Sequence, residues 1–179
     1  MKNVIYPGWL IRELRSDHAG ETGAIWIYRG ILSVSFNNKV RTFAQHHLET
    51  ERNHLKKIEG LLPLKYRSRL LPAWRVTGFF TGLIPALFGT NMTYRTIEAV
   101  ETFVDQHYQN QIDRLKPILK ENPELETVNL VLNECQLDEI RHRDEAIQAS
   151  ENTSGRIIRL WSSLISAGSR LAVSLARRF

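Results

Sequence analysis

Residues 42 to 60 read TFAQHHLETERNHLKKIEG, and within them Glu51 and His54 stand three apart as ERNH. A glutamate and a histidine at i and i+3 share one face of a helix. The pair is therefore either half of a metal site or two polar residues on a wet surface, and the rest of the chain decides which. A second pair, EIRH, runs from Glu139 to His142. Random placement of fourteen glutamates and six histidines would give about half such a match by itself, so two matches alone are weak.

Placement makes them stronger. Apolar periodicity and chain breakers predict helices over Trp9–Phe36, Lys39–Glu59, Met92–Glu121, Glu124–Ala149 and Gly155–Arg178, while strand signals are scarce. Asn37-Asn38 joins the first two helices and Asn122-Pro123 the next two, so each ExxH lies on the second helix of a hairpin. Each first helix carries a glutamate in apolar company: Glu21 with Ala24, Ile25 and Tyr28, and Glu101 with Ile97, Val104, Tyr94 and Tyr108. A buried, unpaired carboxylate is costly, and a metal ion is its natural partner. Counted outward from the first turn, Glu21 faces Glu51–His54 to within about one helical turn. Glu101 and Glu139–His142 match less closely, and a longer turn or an irregular helix has to absorb the difference. The chain also repeats itself: ETGAIWIY (21–28) and ETFVDQHY (101–108) share the form E-T-x5-Y, and each is followed by ExxH.

One glutamate from each of two helices plus ExxH from each of the other two is the ligand set of ferritin-like di-iron or di-manganese bundles. Four carboxylates and two histidines suit iron, with two carboxylates free to bridge. The expected ligands are Glu21, Glu51, His54, Glu101, Glu139 and His142. The expected fold is all-α: a ferritin-like four-helix bundle with a long crossover connection and an additional C-terminal amphipathic helix, one domain across residues 1–179. Asp138, directly before Glu139, is a candidate to hold a ligand histidine from behind. Tyr28 and Tyr108 either hydrogen-bond the bridging carboxylates or pack in the core. His18, next to Asp17, reads as a residue behind the ligands or as a cap near the first helix. His46 and His47 read as surface residues. Glu98 shares a face with Glu101, but its register relative to His107-Tyr108 favours Glu101.

The crossover, residues 61–91, is unusual. From Val76 to Tyr94 it holds no charge, yet Gly78, Gly82, Pro85 and Gly89 interrupt it, so docking at a membrane interface is favoured over a transmembrane span or a plain buried connection. The flanks are basic, and the net charge is +5 with a pI near 9.6, which suits an anionic lipid surface or a nucleic acid. Four inward carboxylates and scattered arginines argue against nucleic acid. One cysteine, Cys135, excludes an internal disulfide framework and a Cys-rich zinc site. The first twenty residues carry no apolar signal-peptide core, which points to a cytoplasmic setting or a mature organelle form.

With these residues in hand, the chain resembles the demethoxyubiquinone hydroxylases of ubiquinone biosynthesis. The resemblance rests on DHAGETGA (17–24), ETERNHLKK (49–57), LPAWRVTGFFTGL (71–83), EAVETFVDQHYQNQI (98–112), LDEIRHRD (137–144) and the arginine-bearing apolar C-terminal helix. It implies an O2-dependent monooxygenase with two Fe ions per chain, and it carries over the same six ligands. The implied substrate is a demethoxyubiquinol (2-polyprenyl-3-methyl-6-methoxy-1,4-benzoquinol), hydroxylated on its ring. It also places His107 beside the site, with a role in proton or electron delivery or a structural hydrogen bond. The implied partners are the prenylated quinol, O2 and a membrane surface, with room for other ubiquinone-biosynthesis proteins or a second copy of the chain, and no nucleic acid. The implied location is peripheral, on the cytoplasmic face of a bacterial inner membrane or the matrix face of the mitochondrial one. The competing reading is a ferritin-like iron oxidase or peroxidase that does not act on quinones. It explains the ligands but not the apolar crossover or the basic last helix.

Overall fold

A computed structural model describes residues 6–151 and 155–179; part of the N-terminal stretch read for a signal peptide, residues 1–5, lies outside them. The described residues form six α-helices and no strand. Helix α1 spans Gly8–Val34, α2 Asn38–Leu61, α3 Leu71–Leu87, α4 Thr90–Leu115, α5 Glu126–Ala149 and α6 Arg156–Ala176. The hairpin α1–α2 turns where expected, because the Asn37 side chain caps α2 by accepting from the backbone N–H of Lys39 (2.9 Å) and Val40 (3.3 Å).

The second hairpin differs from the sequence reading. Helix α4 ends at Leu115 rather than Glu121, because Pro117 has no N–H to continue the ladder, and Lys116–Ile118 tighten into a 3-10 turn. A second 3-10 turn, Pro123–Leu125, precedes α5. This longer connection is what the looser spacing of Glu101 and Glu139 required.

The crossover is itself a helix. α3 lies along α1, and the contact is made backbone to backbone: added Cβ atoms at Gly78 and Gly82 would strike the backbone of Gly23 and Ile27, and one at Gly30 would strike that of Phe79 and Leu83. Glycine is needed at these positions for approach rather than for turning. Gly89 is the exception, since it opens α4 at φ 111°, a conformation that side chains avoid. The opposite face of α3 presents Val76, Phe80, Ile84 and Leu87, continued by Phe88, to solvent. These fall at i, i+4, i+8 and i+11, one stripe of the helix. The uncharged stretch is therefore packed on the bundle along one face and leaves an apolar stripe exposed on the other. Helix α6 has the same two-faced design. It docks through Trp161, whose indole N–H donates to Thr96 Oγ1 at 2.8 Å, and exposes Ile157, Leu160, Leu164 and Leu171. Both α3 and α6 contact α1 and α4, so the two stripes lie on the same side of the bundle. Among the described residues no helix is long and apolar enough to cross a membrane.

The core comes in two parts. One apolar cluster joins the start of α1 (Leu10, Leu14), the end of α2 (Ile58) and Leu62 just after it, the end of α4 (Ile112, Leu115) and the start of α5 (Val128, Leu132). The other joins the opposite helix ends, with Ile31, Val40, Ala44, Ile97 and Ala146 among its members. Between them lies a layer of buried acids and histidines.

Candidate metal centre

Four helices supply that layer, each with the residues the spacing singled out: Glu21 from α1, Glu51 and His54 from α2, Glu101 from α4, and Glu139 and His142 from α5. All six are buried. They sort into two overlapping groups. Ligand atoms of Glu21, Glu51, His54 and Glu139 lie within 4.8 Å of one another, and so do those of Glu51, Glu101, Glu139 and His142. Glu51 and Glu139 belong to both groups, as two bridging carboxylates would; Glu21 and Glu101 each belong to one.

Both histidines turn Nδ1 inward. His54 Nδ1 lies 3.1 Å from Glu139 Oε1 and 3.6 Å from Glu21 Oε2, and His142 Nδ1 lies 3.1 Å from Glu51 Oε1 and 3.4 Å from Glu139 Oε2. Yet Glu21 Oε2, Glu51 Oε1, His54 Nδ1, Glu139 Oε2 and His142 Nδ1 are all buried without an aligned hydrogen-bond partner. Buried polar atoms are rarely left so, and five converging on one layer call for something to bind them. The donor set, imidazole nitrogen plus carboxylate oxygen, fits divalent iron or manganese.

The electrostatics agree. Burial first, then the charges of neighbouring glutamates, push Glu51 and Glu101 well above the usual carboxylate range. Burial works the same way on Glu139, but its contacts with His142 and His54 outweigh it and hold that carboxyl below the usual range. Burial alone would lower His54; its contacts with Glu139 and Glu21 and the charges of Glu21 and Glu51 win, and its value is pushed up to about 12. Without a cation, the layer keeps protons to offset carboxylates that cannot all ionise together.

The residues around this layer are partly as expected. His54 donates through Nε2 to Asp138 Oδ2 at 3.0 Å, which leaves Nδ1 as the nitrogen that a metal ion would take by displacing its proton. Tyr28 donates to Glu101 Oε1 at 3.0 Å, and Tyr108 donates to Glu21 Oε1. The tyrosines thus do more than pack in the core, but they hold the two unshared glutamates rather than the bridging pair. Glu98 turns away and pairs with Arg95 at 2.8 Å on a half-buried surface. His107 lies outside both groups; its Nε2 sits 3.1 Å from Asp17 Oδ1 and 3.1 Å from Ser16 Oγ. Gln111 also donates to Asp17, at 2.8 Å, making that buried carboxyl the centre of an α1–α4 clamp. His18 is no cap: it sits inside α1, and its Nε2 meets Glu59 Oε1 at 3.3 Å.

His46 is exposed as expected, but His47 is fully buried, its ring 4.1 Å from Phe43 and 4.0 Å from His142 between centroids. The signal was in the sequence. His47 precedes Glu51 by four and His54 by seven, so it lies on the same face of α2. Burial first, then the nearby His142 and His46, lower its pKa to about 2, so it is a neutral ring. A groove of about 580 Å³ between α1, α2 and the start of α3 is lined by Thr22, Ile25, Trp26, Leu55, Leu71 and Arg75 among others. Thr22 and Leu55 directly follow Glu21 and His54 in the chain, so the groove runs past the helix turns that carry those two residues.

Residues 9–176 match the family described as "Ubiquinone biosynthesis protein COQ7". The chain is 34% identical over 172 residues to the mitochondrial "NADPH-dependent 3-demethoxyubiquinone 3-hydroxylase" of Mus musculus, covering 94% of this chain and 77% of that protein. It is 34% identical over 176 residues to the "3-demethoxyubiquinol 3-hydroxylase" of Rhodospirillum rubrum, covering 96% and 80%. It is 29% identical over 154 residues to the mitochondrial "5-demethoxyubiquinone hydroxylase" of Saccharomyces cerevisiae, covering 78% and 66%.

Proposed function

The chain belongs to the COQ7 family of ubiquinone biosynthesis, and from that premise we propose that it is an O2-dependent monooxygenase that hydroxylates the ring of a demethoxyubiquinol at a pair of iron ions. The observation that carries this is the doubled cluster with two shared glutamates. Glu21 and His54 would hold one iron, Glu101 and His142 the other, and Glu51 and Glu139 would bridge them. When bound, the irons supply activation of O2. One oxygen atom enters the ring as hydroxyl and the other leaves as water, with two electrons and two protons from a reductant.

The protein's own part is positioning and exclusion. Tyr28 and Tyr108 fix the unshared glutamates, Asp138 fixes the His54 ring, and the two apolar clusters close the layer at both ends so that bulk water does not reach it from the bundle axis. The substrate keeps a long apolar tail in the bilayer, so the protein has to reach the lipid. The exposed stripes of α3 and α6, on one side of the bundle, support a peripheral placement. The groove beside Thr22 and Leu55 begins at the N-terminal end of α3 and supports a path from that face to the irons.

The test is reconstitution with ferrous iron, then incubation of detergent-solubilised demethoxyubiquinol, O2 and NADPH, the reductant in the mouse relative's name. Products are read by liquid chromatography and mass spectrometry, with 18O2 as the tracer. One 18O atom in the ring hydroxyl is expected. Oxygen consumed against Fe2+ oxidation alone, or peroxide consumed against the reductant, with the quinol untouched, would reverse the reading in favour of an iron oxidase or peroxidase.

A further inference from the structure

The two halves of the acidic layer are related by the chain's internal repeat, yet they are not equal. Their glutamates are matched: Glu101 receives a hydroxyl from Tyr28, and Glu21 receives one from Tyr108. The bridging pair is common to both groups. Their histidines are not matched. His54 gives its far nitrogen, Nε2, to Asp138 Oδ2 at 3.0 Å. Asp138 stands directly before Glu139 in the second ExxH. The position directly before Glu51 in the first is Thr50, a neutral residue whose hydroxyl, among the described residues, meets the backbone oxygen of His46, 3.5 Å away on its own helix, and no histidine side chain. Among the described residues, no group accepts a hydrogen bond from the far nitrogen of His142.

His142 has a ring neighbour instead, His47. Its ring meets that of His142 edge to face, 4.0 Å between centroids and 83° between planes. His47 is wedged against Phe43, and its Nε2 lies 3.1 Å from Glu145 Oε2. Packing of this kind fixes where a ring sits. It does not raise the ring's basicity, whereas a carboxylate accepting from the far N–H does both.

We infer that the two metal positions differ in affinity: the one formed by Glu21, Glu51, His54 and Glu139 is the tight position, and the one formed by Glu51, Glu101, Glu139 and His142 is the weak one. Asp138 is the positioning residue that sets the difference. Loss of an outer partner of a ligand histidine typically weakens metal binding by roughly 10–100-fold, so the gap is expected to be about tenfold or more. The inference rests on the di-metal reading above, and the two fail differently.

The experiment is a titration of the metal-free full-length protein with Mn2+, followed by equilibrium dialysis and by electron paramagnetic resonance. Two separable binding constants are expected. At one equivalent the spectrum is that of an isolated Mn2+, and at two equivalents it is that of a spin-coupled pair. Two equal constants, or a coupled pair from the first addition, overturn the inequality but leave the di-metal reading standing; absence of a second bound ion removes both. Asp138→Asn is expected to lower the first constant toward the second, which stays unchanged. A first constant unmoved by Asp138→Asn overturns the role given to Asp138. Single-ligand variants supply the assignment independently of Asp138. His142→Ala is expected to keep one ion at the tight constant, and His54→Ala one ion at the weak constant; the reverse order overturns the inference.

Discussion

Tyr28 on α1 donates its hydroxyl to Glu101 Oε1 on α4 across the bundle at 3.0 Å, and Tyr108 on α4 returns the contact to Glu21 on α1. Each hairpin therefore holds the unshared glutamate of the other. The two hydroxyls stay protonated, because burial and then the neighbouring glutamate raise both phenols well above their usual range. Tyr28→Phe removes the donor to Glu101 while keeping the ring. The expected outcome is a loss of metal affinity of about tenfold, in the range of other outer-sphere partners, with little change in helix content. Iron retained after dialysis against a chelator measures it, and retention equal to the parent protein would mean that the contact is only packing.

The six buried acids and histidines have a built-in control in Glu98. Alanine at Glu21, Glu51, His54, Glu101, Glu139 or His142 should remove at least one iron and cost more activity than the roughly 10–100-fold of an outer-sphere change. Glu98→Ala should be mild, because Glu98 already pairs with Arg95 at 2.8 Å and is partly exposed. Elemental analysis and turnover on the same samples decide; equal damage at Glu98 and Glu101 would mean that the register of α4 at the site is misread.

That register was legible because glutamate in apolar company is expensive and therefore informative. Asp138 was reached differently, by its place directly before Glu139. His47 was missed, since a histidine beside His46 in a polar-looking HH pair gives no local sign of which one turns inward; only its spacing to Glu51 and His54 does. Asp17 was given no role of its own, because its partners His107 and Gln111 lie on another helix. Helix α3 went unread as a helix because its glycines look like loop residues. Their purpose, close approach to α1, exists only in the folded pair.

That close approach gives a packing prediction. A methyl group at Gly82 would run into the Ile27 backbone, and backbone cannot swing aside as a flexible side chain can. Gly82→Ala should force α3 away from α1 at about 1–3 kcal/mol, several degrees in Tm for a chain of this size. Gly60→Ala is the control, since nothing lies near an added Cβ there, and helix propensity alone should leave it neutral or slightly stabilising. Thermal melts of both variants settle it, and equal melting temperatures for the two would mean that the α1–α3 contact gives freely.

The acidic layer also sets a pH dependence with a definite sign. Glu51 and Glu101 have folded values above the ordinary 4.5, so the folded metal-free protein binds more protons than the unfolded chain once pH passes that value. Their contribution to stability is therefore full below about 4.5 and is lost as pH rises through the raised values. His54, raised from 6.5 to about 12, acts in the same direction above 6.5. Glu139 acts oppositely, but only in acid, where its depressed carboxyl becomes protonated. Metal binding needs these carboxylates ionised and releases their protons, so affinity rises with pH. The gap in Tm between iron-loaded and metal-free protein should widen from about pH 5.5 to about pH 8. A gap that stays constant or narrows would contradict the shared-proton layer.

The last prediction concerns the exposed apolar stripes of α3 and α6, where burial decides which residues test membrane binding. Phe79 and Phe80 are adjacent in sequence but differ in exposure: Phe79 is half-buried and Phe80 exposed. Phe79 packs its ring edge on Trp26, 6.3 Å between centroids, and its backbone lies against Gly30; serine there would damage the fold. Phe80 and Phe88 lie in the exposed stripe of α3, as Leu160 and Leu164 do in that of α6. Each phenylalanine that enters the headgroup–acyl boundary contributes roughly 25 cal/mol per Å² of apolar surface removed from water. The arginines add less than their number suggests. Arg177 is bound to Glu13 through two nitrogens at 2.9 and 2.7 Å, which leaves Arg156, Arg159, Arg170 and Arg178 exposed for anionic lipid at about 1 kcal/mol each. Phe80→Ser combined with Phe88→Ser should therefore reduce binding to vesicles containing anionic lipid and slow turnover of long-tailed quinol. Iron content and turnover of a short-tailed quinol should stay near the parent values, because neither residue touches the acidic layer. High salt should weaken the charge part and leave the apolar part. Unchanged vesicle binding together with unchanged long-tail turnover would mean that the stripe is covered by something other than a membrane.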